Sequence, residues 1–177
     1  MTDPGSRLRA WWRDDPRDPG RLTLADKDVQ CLIAKIDPRG QAIDLGGVMS
    51  LNVHLMQAGL VLRVHQPFVS RERLLALQVL RRELSVRGIL VAEPVTWRGV
   101  SVVHLRDRWA ELEQYVPHTP PPGSAPGYRD LFRALGQLHA VMRQVPLRVP
   151  RPVVATYAPP GSLRRWQRIT QAAVRHD

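Results

Sequence analysis

A chain of 177 residues with 44% hydrophobic side chains can bury a core and has room for one ordinary domain, or one and a half small ones. Its net charge of +10 raises nucleic acid as a partner, but residues 1–88 carry 14 basic against 10 acidic side chains, and the later excess is dispersed over Arg143, Arg148, Arg151, Arg164, Arg165, Arg168 and Arg175 with no aromatic-plus-basic stacking motif. No apolar run approaches the ~18 residues that span a bilayer, the start lacks a secretory pattern, and the lone Cys31 excludes an internal disulfide, so a cytoplasmic protein with no membrane partner is expected.

Residues 1–22 mix Pro4, Pro16, Pro19, Gly5 and Gly20 with charges and read as a flexible leader. From Thr23 to Ile36, Leu24, Val29, Leu32 and Ile33 recur at helical spacing, with Pro38 and Gly40 as the stop; a strand over 29–36 is the alternative. The period then changes to two. Ile43 and Leu45, then Leu51, Val53 and Leu55, then Leu60, Leu62 and Val64 predict three antiparallel strands, joined at Gly46-Gly47 and at Gln57-Ala58-Gly59. Ser70 is placed to cap a helix with Glu72 in its first turn, and Gly88 to end it. Val95–Trp97 and Val100–Leu105 around Arg98-Gly99 read as a hairpin, and 109–116 as a further extended stretch. A Pro-rich linker fills 117–127. Helical spacing returns in 128–143, where Leu131, Leu135, Leu138, Val141 and Met142 share a face, and in Ser162–Val174. The expected fold class is α+β: a five-stranded antiparallel sheet with one packed helix, followed by one or two helices.

The order of these elements, and several short stretches within them, resemble the amino-terminal lobe of the aminoglycoside phosphotransferase/choline kinase family. Leu45-Gly46-Gly47-Val48-Met49-Ser50-Leu51-Asn52 is similar to its nucleotide-covering turn, Gly59–His65 to its third strand, and Val86–Pro94 to the lead into its fourth strand. Glu111–Pro117 is similar to its hinge, and Leu135-Gly136-Gln137-Leu138-His139 to its first carboxy-lobe helix. The resemblance implies a kinase-like lobe at 23–116 and the start of an incomplete second lobe at 128–177. It implies ATP or GTP with Mg²⁺ as the ligand, and a missing lobe or a partner protein over the hinge face.

The residues the resemblance singles out are Gly46, Gly47 and Ser50 at the phosphates, Arg63 where most kinases have Lys, and the hinge residues Glu113 and Tyr115 with Gln114. Glycines let the backbone approach an anion, and a guanidinium offers a planar fork to it. Glu72 is the better candidate for the carboxylate partner of Arg63, since Leu77 and Gln78 stand near the position where the family has its helix Glu. Glu111 and Glu113 lie on one side of an extended stretch, where Arg106, Arg108 and solvent are expected to satisfy them, so an acid/base pair is not favoured. His139 is expected to be a packing residue, and no H-x-x-x-H or HExxH spacing offers a metal site.

The family's catalytic His-x-Asp has no counterpart, since His104-Leu105-Arg106-Asp107 is wrongly spaced, so this chain alone is expected to lack turnover. Two readings compete with a phosphotransferase fragment: a stand-alone nucleotide- or protein-binding regulatory module, and a basic nucleic-acid-binding protein.

Overall fold

The computed structural model describes residues 20–47, 49–119 and 124–150. The leader up to residue 19 and the helix expected at Ser162–Val174 lie outside them. Arg21 and Leu22 are not loose: Arg21 donates from Nε to the Ser50 carbonyl (3.1 Å), and Leu22 packs at the margin of the core.

Alternation of apolar and polar side chains sets the strands. β1 (Ala42–Asp44), β2 (Leu51–Leu55) and β3 (Leu60–Val64) form an antiparallel meander, and the turn into β3 ends at Gly59. β4 (Pro94–Val95), β5 (Val102–Leu105) and β6 (Arg108–Gln114) complete a six-stranded sheet. The expected count was five. The extended stretch expected near 109–116 turns out to be a principal strand, since β6 pairs with β3 along one edge and with both β5 and β4 along the other. Arg98 and Gly99 both adopt positive φ (51° and 79°), the geometry of a tight hairpin turn, and Trp97 and Val100 exchange the closing bonds.

Two helices cover the sheet where one was expected. α1 (Lys27–Ile36) buries Val29 and Leu32 against Leu51, Val53, Leu55, Leu62, Val64, Ala110 and Leu112, which are the residues of one face. α2 (Arg71–Val86) lies on the other face, where its Gln78 and Arg81 reach Glu111 and Glu113 of β6. Ser70 caps α2 by accepting the Arg73 N–H, as its position in the sequence predicts. Gly88 (φ 78°) ends it by donating to the Ser85 carbonyl, while Ile89 donates to Leu84.

α3 (Ala125–Met142) starts three residues before the expected Tyr128 because Ser124 caps it, accepting from Gly127 N–H (3.3 Å), with Pro126 fitting the first turn. None of its residues is buried; Tyr128, Leu131, Phe132, Leu135 and Met142 are all exposed. Beyond it Val145 is buried and Arg73 of α2 donates to the Pro150 carbonyl. Among the described residues no helix is long and apolar enough to cross a membrane.

Candidate functional site

The face of the sheet under α2 is charged. Residues directly opposite in a ladder share a face, and the register sets Asn52 beside Arg63 and Arg63 beside Glu111, with Glu113 two residues further along β6. Glu111 and Glu113 are buried, so each carboxylate requires partners. Glu113 accepts from Arg63 through one oxygen (2.7 Å) and from Arg81 through the other (2.6 Å). Glu111 accepts from Arg81 and Gln78 through one oxygen and from His65 Nε2 (3.1 Å) through the other. Burial alone would raise the carboxyl pKa of Glu111; the hydrogen bond from His65, the charge of Arg81 and the hydrogen bond from Gln78 outweigh it and hold the group at about 2. Two carboxylates and two guanidiniums therefore neutralise one another beneath the helix.

A cavity of about 300 Å³ opens at the end of this network. Asn52, Val61 and Arg63 form its floor, Glu113 to Val116 with His118 one wall, and Leu45 and Ala92 its other margins. The volume is at the lower end of the ~300–1,000 Å³ of small-molecule sites. Arg63 is the most available charge in it, with 39% of its side chain exposed against 5% for its partner Glu113. Two polar atoms here, Arg63 Nε and Asn52 Oδ1, are buried with no hydrogen-bond partner. Such atoms carry a desolvation cost that a ligand can relieve.

The turn before β2 borders the cavity. Gly46 and Gly47 have φ of 83° and 110°, which favour glycine, and a Cβ on Gly47 would stand 2.9 Å from Asn52 Nδ2. Asn52 donates from that nitrogen to the Gly46 carbonyl (2.9 Å) and the Ser50 carbonyl (3.3 Å), tying the turn to the floor. Asn52 was not among the residues expected to form the site, and neither were Gln78, Arg81 and His118. The signal for Arg81 was the spacing Leu74, Gln78, Arg81, Ser85, a single helix stripe that turns polar in the middle.

Arg63, Glu113 and Tyr115 are brought together around the cavity, while Gly46, Gly47 and Ser50 stay at its border and Ser50 contributes contacts through its carbonyl. Glu72 is not brought in. It is exposed in the first turn of α2, and the carboxylate on Arg63 is Glu113, from the neighbouring strand. Arg106 and Arg108 do not serve the two glutamates either: Arg106 pairs with Asp28, and Arg108 bonds Gln66 (3.2 Å) and Asp107 on the opposite side of β6. The Gln114 and Tyr115 N–H groups of the hinge-like segment donate to the Glu93 and Gly59 carbonyls (2.8 and 3.0 Å). The Tyr115 ring stacks on His54, with centroids 3.7 Å apart. His139 is exposed on α3 rather than packed.

No family model matches this chain, and no curated protein matches it in sequence. Among the described residues there is no group of three or more His, Cys, Asp or Glu side chains that could hold a metal ion.

Proposed function

We propose that this chain is a kinase-like nucleotide-binding lobe, the amino-terminal part of a cytoplasmic small-molecule phosphotransferase similar to the aminoglycoside phosphotransferase/choline kinase family. The observation that carries the reading is the cavity in which a cationic strand residue, Arg63, meets the segment Glu113–His118 beside a glycine turn. A base would lie along the wall of Tyr115 and Val116, and the phosphates of ATP or GTP toward Arg63. The exposed part of the Arg63 side chain suits this arrangement, because a guanidinium with 39% of its side chain open to the cavity can donate to an anion. Without an H-x-D sequence the 177 residues would hold the nucleotide without transferring its phosphoryl group. The apolar stripe of α3, which no other described residue buries, supports a further lobe or partner protein against it.

A thermal-shift titration tests this. Millimolar ATP or GTP, with and without Mg²⁺, should raise the melting temperature, and Arg63→Ala should remove the rise. An unshifted wild-type chain at millimolar nucleotide rejects the reading. A shift with RNA or DNA that fades with salt would replace it with nucleic-acid binding.

A further inference from the structure

We infer that Arg81, on α2, is a positioning residue for anion recognition: it shares Glu113 with Arg63 and thereby keeps the Arg63 guanidinium available to phosphate. This rests on the nucleotide reading above and assigns within that site the residue that sets its phosphate affinity.

The geometry is a relay of four charged groups. Each Glu113 oxygen is taken by a different guanidinium, Oε1 by Arg63 NH2 at 2.7 Å and Oε2 by Arg81 NH1 at 2.6 Å. Arg63 therefore spends one nitrogen on Glu113, while its Nε has no partner in the protein. A carboxylate is geometrically able to take both arms of one guanidinium. Glu113 does not do so here because Arg81 occupies its second oxygen, and Arg81 is itself fixed by Glu111. Glu111 is fixed in turn by Gln78 and His65.

Replacing Arg81 with an apolar side chain would leave Glu113 buried with a single cation nearby. The cheapest relief is for Glu113 to grip Arg63 with both oxygens, which draws the guanidinium away from the cavity and cancels its charge there. The polarity of the helix–strand contact is thus reversed from the Lys-on-strand, Glu-on-helix arrangement: the helix contributes the cation and the strands contribute both the carboxylates and the ligand-facing arginine.

The test is a double-mutant cycle on ATP affinity, measured by calorimetry at low ionic strength, with circular dichroism on every variant. Arg81→Met should weaken ATP binding about ten-fold, the scale of one charge-assisted hydrogen bond. In a Glu113→Gln background, where residue 113 can no longer capture Arg63, adding Arg81→Met should change ATP affinity by less than about two-fold. A role limited to holding α2 in place would lower affinity in both backgrounds, and that result overturns the inference. Arg81→Lys keeps a charge against Glu113 but cannot bridge both glutamates, and it should retain ATP affinity within about three-fold of wild type. This arm decides the matter if Arg81→Met does not fold; a ten-fold loss in a folded Arg81→Lys chain overturns the inference. A wild-type chain that binds no ATP overturns the nucleotide reading as well, whereas tight wild-type binding with an unaffected Arg81→Met variant overturns this inference alone.

Discussion

The two faces of one sheet are closed by opposite chemistry. Toward α1 the contacts are aliphatic: Val29 and Leu32 seal Leu51, Val53, Leu55, Leu62 and Val64, and these bury by area alone. Toward α2 the central contacts are ionic and hydrogen-bonded, with Gln78 and Arg81 reaching two buried glutamates. The aliphatic contacts of the first face tolerate apolar side chains of similar volume and hold no group that titrates. The second is satisfied only when every charge has its partner, which makes it costly to perturb and suited to a cavity that has to present charge.

The largest effect should come from breaking the ionic face. Glu111→Ala takes a buried partner from Arg81, Gln78 and His65 at once and should cost about 4 kcal/mol, measured by urea denaturation. A cost below about 1 kcal/mol would mean that α2 is held by its leucines instead. Leu62→Ala, a full truncation on the aliphatic face, should cost about 3 kcal/mol and leave the stabilisation expected from the proposed nucleotide intact. A loss of nucleotide response in that variant would show that the two faces are not separable.

Acid sharpens the contrast. The folded-state pKa of Glu111 lies below its unfolded value, so its contribution is complete above about pH 4.5 and is lost as pH falls toward 2. By pH 3 the loss from this group should be about 2 kcal/mol. Glu111→Gln should flatten that part of the stability–pH curve, whereas Leu62→Ala should shift the whole curve without changing its slope. An unaltered acid slope in Glu111→Gln would assign the acid sensitivity to another carboxyl. The smallest effect expected is that of Ser70→Ala, about 1 kcal/mol for loss of the α2 cap, visible in the same melts.

This contrast also governs what could be read in the chain. Leu51, Val53 and Leu55, and Leu60, Leu62 and Val64, announce their strands because burial of one face imposes period two. Ser70, Gly88 and the Arg98-Gly99 turn were legible for the same reason, since each satisfies a local backbone requirement within a few residues. The ionic face gives no such signal. Arg63 and Glu113 are fifty positions apart, and Arg81 and Glu111 thirty, and nothing in local spacing ties a cation to one carboxylate over another. Glu111 and Glu113 were therefore assigned to solvent and nearby arginines when they are among the best-buried side chains of the sheet. Arg63, Glu113 and Tyr115 were grouped from the sequence and do line one cavity, but the ion-pair circuit behind them was hidden. Glu72 was favoured because it sits on the expected helix, but the partner came from a strand.

β1 has a consequence for handling this chain. It is the outermost strand, only three residues long, and its last residue, Asp44, carries a charge paired to Arg21. Short, charged borders offer little unpaired backbone for a foreign strand to stack on. Self-association through cross-β growth is therefore disfavoured at that edge, and colloidal trouble on expression should trace to the greasy stripe of α3, where one or two polar replacements would suppress it.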